Sequence, residues 1–399
     1  MLKEELIAKV LGRNKSLFID DIIANTEKLK ENIEGKKILV IGGAGSIGSS
    51  YIKSVMRFKP AMIVVIDTNE NALTELVRDV RSDSNVQVPE TFITYPVSFN
   101  SVTFNKIYDR YKRFDIIANF AAHKHVRSEK DIYSIEALLY NNVIHAKKLI
   151  DLVAESAPDH FFCVSTDKAA NPVNIMGASK KLMEEMILSY ADSMKITTAR
   201  FANVAFSNGS LLEGFVKRFE KLQPIACPRD IRRFFVSPQE SGEICMLACI
   251  LGSSGDVFFP KLDPQNDMIP FTSFLVPFLN SMGYQPLECS SEQEAKSMMN
   301  HISSGKYPVY LFDSVTSGEK TYEEFFTESE IVQNDIFKKL GFISKKAQYS
   351  RSEIDGIIEE LEVVLTSSNL TKQNIVNTLK RFIPEFDHIE KGLSLDSKM

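Results

Sequence analysis

Cysteine is scarce in this chain. The five present, Cys163, Cys227, Cys245, Cys249 and Cys289, are odd in number and follow no tight pairing pattern. That excludes a disulfide framework and fits a reducing compartment. Cys245 and Cys249 stand four apart on a helical pattern, but two further ligands to complete a metal site are not evident nearby. They read as two buried helix cysteines rather than half a metal site. Long hydrophobic runs are missing too. None approaches the ~20 residues that cross a bilayer, and Met1-Leu2-Lys3-Glu4-Glu5-Leu6-Ile7 sets acids where a signal peptide has its apolar core. Neither sign of charge prevails: 47 Lys and Arg against 52 Asp and Glu leave a net charge of −5. With no basic stripe to follow a phosphate backbone, nucleic acid is excluded as a partner. There is no internal repeat and no low-complexity tract. These absences leave a cytoplasmic protein without a membrane span as the expectation. Its 399 residues, 44% of them hydrophobic, suffice for one large domain with a lobe or for two domains.

What is present is an alternation of strand and helix patterns. Residues 37–41, 61–66, 115–122, 160–165 and 195–200 are short apolar runs of strand length, with helical patterns near 71–82, 101–113, 134–156 and 180–192. Strands that are apolar throughout argue for a parallel sheet covered on both faces. The expected fold class is therefore α/β, a Rossmann-type doubly wound parallel sheet. Residues 1–35 read as an N-terminal helical arm and 36–205 as the dinucleotide-binding domain. Residues 206–399 read as a smaller C-terminal lobe and helices closing over a ligand, parts of which can interleave with the first domain.

A glycine-rich turn, Gly42-Gly43-Ala44-Gly45-Ser46-Ile47-Gly48, follows the first strand at once. Glycines at 42, 45 and 48 allow a tight strand-to-helix turn and let backbone N–H groups approach a pyrophosphate. The N-terminus of the helix behind the turn, read over residues 51–58, adds its positive end, and Ser46 and Ile47 lie in the turn before it. Such a pattern alone is weak. Here it sits between a strand and a helix, and an acid, Asp67, ends the next strand. A carboxylate there can accept both ribose hydroxyls and repels a 2′-phosphate, which favours NAD over NADP. The bland reading of Asp67 is a strand-end cap.

A second constellation lies at the end of the 160–165 strand: Ser165-Thr166-Asp167-Lys168, then Asn171-Pro172-Val173-Asn174-Ile175-Met176-Gly177-Ala178-Ser179-Lys180. Hydroxyl, carboxylic acid and amine adjoin one another. In a straight strand Asp167 and Lys168 would point to opposite faces, so both serve one ligand only if the chain bends there. A plain surface Asp-Lys pair is the alternative. Met176 and Lys180, four apart, share a helix face.

Together with Ala121-Ala122, Asn142 and Ser165, the glycine spacing resembles the extended short-chain dehydrogenase/reductase superfamily. The ordered blocks Ala121-Ala122-His123-Lys124-His125-Val126, Ser165 to Gly177, Arg200-Phe201-Ala202-Asn203-Val204, Arg233-Phe234-Phe235 and Ser317-Gly318-Glu319-Lys320 sharpen the match. They resemble the UDP-N-acetylglucosamine 4,6-dehydratases of bacterial surface polysaccharide biosynthesis, in a soluble form of the branch with Met in place of the active-site Tyr. Leu11-Gly12-Arg13 fits that branch as well.

The resemblance implies an enzyme, a carbon–oxygen lyase, with NAD as cofactor and a UDP-sugar as substrate. C4 is oxidised, C5–H and the C6 hydroxyl are eliminated, and the hydride returns to C6. By the same resemblance the catalytic set is Thr166, Asp167, Lys168, Met176 and Lys180. Gly42, Gly45, Ser46, Ile47, Gly48, Asp67, Ala121, Ala122, Asn142, Ser165 and Lys180 are assigned to the cofactor, with Asn142 also steadying the active-site helix. Lys124, Glu129, Asn203, Arg233 and Glu319 are assigned to the sugar nucleotide in a substrate-binding lobe. No metal is implied, since His123 and His125 have no third ligand in register. Helices near 134–156 and 180–192 are expected to pair between subunits of a homo-oligomer, a dimer or larger.

Asp167 as acid with Lys168 as base, and the reverse, both remain open here. Met176 cannot replace a tyrosine as proton acceptor, because a thioether is only a weak acceptor. Either Asp167, Lys180 or a bound water takes the 4-hydroxyl proton, or oxidation is slow. Departures from the family pattern include Tyr95-Pro96-Val97-Ser98 at the adenine contact, Thr316-Ser317, and Ala202 and Phe206 at frequent glycine positions. Competing readings are a UDP-N-acetylhexosamine C4 or C5 epimerase and a catalytically silent NAD-binding regulator.

Overall fold

A computed structural model describes residues 3–314 and 324–390. The strands in chain order are β1 (Lys37–Ile41), β2 (Met62–Asp67), β3 (Thr91–Pro96), β4 (Ile116–Asn119), β5 (His160–Val164), β6 (Ile196–Ala199), β7 (Asn203–Val204) and β8 (Ile225–Pro228). They continue with β9 (Arg232–Val236), β10 (Asp256–Pro260), β11 (Met268–Pro270), β12 (Gln285–Cys289), β13 (Lys306–Phe312), β14 (Val332–Gln333) and β15 (Leu340–Ser344). Among the described residues the main sheet has nine strands in the order β14-β15-β10-β6-β5-β4-β1-β2-β3. From β10 to β3 every pairing is parallel. Only β14 and β15, at one edge, run antiparallel.

The apolar runs form these strands because both faces are covered. All residues of β4, β5 and β6 are buried. One face packs against the helices Ser46–Met56 and Pro238–Leu251, the other against Ile132–Leu139, His145–Ala154 and Ile175–Leu188. Strand order reverses between β1 and β4, so a crevice opens at the carboxyl ends of these strands, where doubly wound sheets take their ligands.

The lobe interleaves with the sheet more deeply than a boundary at 205/206 suggests. β10, β14 and β15 complete the main sheet, and the helix Pro238–Leu251 packs on the helix behind the glycine turn. What is separate is a small unit built on the parallel strands β12-β13-β8. The N-terminal arm is not separate either. Leu6 and Ile7 pack with Phe274 and Phe278 of the small unit. Arg13 forks onto Glu240 with Nε at 2.7 Å and Nη2 at 2.8 Å, tying the arm to the helix at Pro238–Leu251.

The apolar faces of the helices expected to pair between subunits pack within the chain itself, while Tyr133 on the first of them is exposed. Every residue from Ile175 to Leu188 is buried. The C-terminal helices Arg351–Leu365 and Lys372–Phe382 set Ile354, Ile358, Leu361, Ile375 and Leu379 into the same core as Leu138, Leu139 and Ile150. No helix among the described residues is long and apolar enough to cross a membrane.

Candidate active site

The glycine turn is dictated by close backbone approach. Gly42 has φ +73°, and a Cβ there would lie 2.5 Å from the Ala121 nitrogen. A Cβ on Gly48 would lie 2.4 Å from the Gly42 carbonyl. Gly45 precedes the helix that starts at Ser46, leaving that helix's first N–H groups without intrahelical acceptors. Asp67 stands beside the turn, its carboxylate accepting from the Ala44 and Asn69 amides at 3.0 Å each. The cap and the ribose readings of Asp67 are compatible, since a carboxylate has about four acceptor positions. Ser46 is engaged differently: its hydroxyl accepts from the Asn208 amide at 2.9 Å, linking the turn to the lobe. A bare turn, a helix N-terminus and a strand-end carboxylate are the groups a dinucleotide needs, so these residues fit NAD.

From the turn a cleft of about 330 Å³ runs over the strand ends. Ile47, Ala122, Lys124, Ser165, Thr166, Asp167, Lys168, Met176, Lys180 and Asn203 line it. The bend that sequence alone left open is present. Asp167–Ala169 form a single 3-10 turn, which brings acid and amine together. Asp167 Oδ1 accepts from Thr166 Oγ1 at 2.8 Å, from the Lys168 amide at 2.9 Å and from Lys168 Nζ at 3.0 Å. Among the described residues no donor bonds Oδ2, the oxygen left for a ligand. Asp167 is buried and Lys168 is about one-fifth exposed, at 19%.

Lys180 is fully buried on the helix floor, and Nζ donates to the Val164 carbonyl at 2.9 Å. Burial pushes its ammonium below the ordinary lysine value, with Cys163 and Glu184 opposing. Met176, one turn earlier, is 2% exposed. Asn142 sits in a π-helical turn, Tyr140–Ile144, a distortion common at functional sites. Its amide brackets His123 N and O at 2.8 Å each and reaches Ser179 Oγ at 3.1 Å. It thus steadies both the 121–125 loop and the active-site helix.

Other expected contacts are placed elsewhere. Ser165 borders the cleft, but its hydroxyl donates to the buried Glu184 at 2.6 Å. Glu129 is not among the cleft-lining residues. Its Oε1 accepts from the Ile175 and Met176 amides at 2.5 and 3.3 Å, and Oε2 meets His388 at 3.2 Å. Arg233 is buried on β9, on the same strand face as the cleft-lining Phe235. Glu319, with Thr316 and Ser317, lies outside the described residues. Cys245 and Cys249 are free and buried. Among the described residues no three His, Cys, Asp or Glu side chains gather as a metal site.

Three features escaped the sequence reading. Glu184 completes a series 176, 180, 184 on one helix face, a signal available from spacing. Arg200, read only as part of a motif, is its buried partner. His125 lines the cleft against Gly209, where a Cβ would come within 2.8 Å of the imidazole.

Fold and site together define a Rossmann-type protein whose Asp167–Lys168 ion pair borders a cleft over the carboxyl ends of its strands. Residues 38–345 match the model of the family described as polysaccharide biosynthesis protein, and the chain belongs to that family. It is 24% identical over 384 residues to the capsular polysaccharide biosynthesis protein CapD of Staphylococcus aureus, covering 95% of this chain but 58% of that one. A UDP-N-acetylglucosamine 4,6-dehydratase (inverting) of Campylobacter jejuni is 25% identical over 249 residues, 57% of this chain and 67% of its own. A UDP-glucose 4-epimerase of Rickettsia bellii is 23% identical over 370 residues, 90% of this chain and 98% of its own. Among solved structures, Pen from Bacillus thuringiensis superposes with a TM-score of 0.62 at 20% identity, covering 80% of this chain and 90% of that one.

Proposed function

We propose that this protein is an NAD-dependent 4,6-dehydratase of UDP-N-acetylglucosamine, giving a UDP-4-keto-6-deoxy-N-acetylhexosamine. The observation that carries the reading is the Thr166-Asp167-Lys168 turn, which sets hydroxyl, carboxylate and amine on one cleft wall. A C4 epimerase has no use for an acid near C6 or a base near C5. A silent cofactor-binding protein has no use for any of the three. The Campylobacter dehydratase among the relatives supports the same choice.

When bound, NAD would take the C4 hydride and return it to C6. The protein's own part is proton transfer. In the resting site Asp167 and Lys168 form an ion pair at 3.0 Å. Thr166 Oγ1, bonded to Asp167, accepts the sugar's 4-hydroxyl and passes its own proton to the carboxylate. That gives the missing tyrosine's task to Asp167. With Asp167 neutral the ion pair is gone, and for elimination Lys168 must release one proton to the solvent it partly faces. The pair is now a carboxylic acid and a free amine. Asp167 protonates the departing O6 as water, and Lys168 takes the C5 proton. After C6 is reduced, Lys168 returns a proton to C5 and recovers its own from solvent. The proton taken from O4 leaves in the water, and the site ends as it began. Lys180, whose amine donates to the Val164 carbonyl, would hold the ribose of the bound cofactor.

Incubation with UDP-N-acetylglucosamine in heavy water tests this. The expected product, followed by NMR, carries a C6 methyl group and deuterium at C5. A C4 epimer alone, or unchanged sugar with NAD bound, would overturn the reading.

A further inference from the structure

We propose that the C-terminal segment Glu385–Glu390 is a strap that fixes the catalytic loop, and that His388 acts through Glu129 as a positioning residue. The segment lies beyond residues 38–345, which the family model matches. Yet it runs along the loop between Lys168 and Met176. The Asp387 and Ile389 amides donate to the Pro172 and Val173 carbonyls at 3.1 and 3.0 Å. Phe386, 2% exposed, enters the same core as Ile175 and Met176. Glu385 reaches Lys181 of the active-site helix at 3.2 Å.

Glu129 is the point where the strap meets the chemistry. The first N–H groups of a helix have no intrahelical acceptor, and the helix dipole favours an anion there. Glu129 Oε1 takes the Ile175 and Met176 amides, while Asn174 Oδ1 takes that of Gly177 at 2.7 Å. The other Glu129 oxygen is held by His388 Nε2 at 3.2 Å and faces Lys372 Nζ at 3.8 Å. Both Glu129 and His388 side chains are 9% exposed. Lys372 is itself bound to Glu390 of the strap. One carboxylate therefore fixes the start of the helix bearing Met176 and Lys180, and the strap fixes the carboxylate. The strap pins Pro172 and Val173 directly, on the segment that sets Asp167 and Lys168 relative to that helix. Glu129 then is no sugar contact, but part of the frame that the sugar-facing groups stand on.

The turnover arm of the test rests on the dehydratase reading, and the exchange arm does not. In the full chain, His388→Ala should lower kcat by about 10- to 100-fold, the scale of a small misplacement of catalytic groups. KM for the UDP-sugar and the affinity for NAD should stay within about twofold of the parent, because the cleft lining is untouched. Amide hydrogen exchange over residues 172–177 should quicken. His388→Gln, which keeps a side-chain N–H, should restore most of both. If wild type shows no dehydration, the functional reading fails while the exchange data still judge the strap. Unchanged exchange in His388→Ala would overturn the proposal. So would Glu129→Gln raising KM with kcat unchanged, since that would make Glu129 a substrate contact.

Discussion

Arg200 and Glu184 meet in a two-point ion pair in which neither side chain has any exposure: Nε and Nη2 donate to the two carboxylate oxygens at 3.0 and 2.8 Å. The pair stands directly behind Ser165, whose hydroxyl shares Glu184 Oε1. On its far side Arg200 Nη1 meets Glu330 at 2.8 Å, and Lys345 meets Glu330 at 2.8 Å. Burial alone would raise the Glu184 carboxyl, but Arg200, with Lys345 and Lys181 beyond it, outweighs that and holds it at about 2, against 4.5 for an ordinary glutamate. Glu330 is likewise held at about 2.

A carboxylate depressed in the folded state stabilises the fold above its unfolded pKa and loses that contribution as pH falls through the folded value. The network should therefore protect the protein at neutral pH and fail between the ordinary 4.5 and about 2. Urea unfolding across that range should show a steep acid limb. Glu184→Gln should flatten it and cost about 3–5 kcal/mol at neutral pH, because Arg200 then loses half of its buried counter-charge. A loss below about 1 kcal/mol, typical of surface pairs, would mean the network is not anchoring the site.

The two members of the Asp167–Lys168 pair should fail at different stages. Asp167→Asn keeps a hydrogen-bonding shape but cannot take the proton that Thr166 passes on. Oxidation itself should stop, and no reduced nicotinamide absorbance should appear on mixing with substrate. Lys168→Met leaves the O4 acceptor in place and removes the C5 base. Reduced cofactor should accumulate in a single turnover without product. Each change should lower turnover by about 10²- to 10⁴-fold with NAD affinity intact. Accumulation in Asp167→Asn instead would reverse the assignment.

The sheet was legible because apolar runs such as Ile38-Leu39-Val40-Ile41 admit little but a buried parallel strand before a glycine turn. That Thr166, Asp167, Lys168 and Lys180 line one cleft was legible because they lie close together in sequence. What stayed hidden depends on distant partners. Glu129 is assigned to the sugar nucleotide, and its contacts with the start of the helix at Ile175 and with His388 depend on the return of the chain at residue 388. Ser165 looked like a cofactor contact, and only Arg200 fixes the Glu184 that turns its hydroxyl away. The helices 132–154 and 175–188 looked available to a second subunit. Their apolar face is the same whether the chain's own C-terminal helices or a partner covers it, so periodicity does not distinguish the two.

Phe206 should break the usual order of alanine and glycine. It holds φ at +55° where relatives of the resemblance often have glycine. Its ring packs edge-on against Phe274 at 6.0 Å, in the core of the small unit. Any Cβ at this backbone angle costs about 1–2 kcal/mol. Phe206→Ala should lose about 3–5 kcal/mol of packing and keep that strain. Phe206→Gly loses the same ring but sheds the strain, so it should melt higher than Phe206→Ala. A lower melting temperature for the glycine variant would show that the surrounding contacts already compensate the angle.

Met176 decides whether the O4 proton goes where we place it. Its thioether is 2% exposed among Ile175, Leu182 and Phe386, and it shares a helix face with Lys180. If Asp167 accepts the proton through Thr166, sulfur has only to fill space. Met176→Leu conserves volume and should cost less than about 1.5 kcal/mol in stability. It should keep kcat within about threefold, far short of the effect of losing a general base. Met176→Tyr installs a phenol acceptor that this chain lacks, yet it should not raise kcat, since the task is already filled and the larger ring strains the packed helix face by about 1–3 kcal/mol. A fall of more than 100-fold in Met176→Leu, or a large gain in Met176→Tyr, would move the first proton away from Asp167 and leave the Thr166 relay without a purpose.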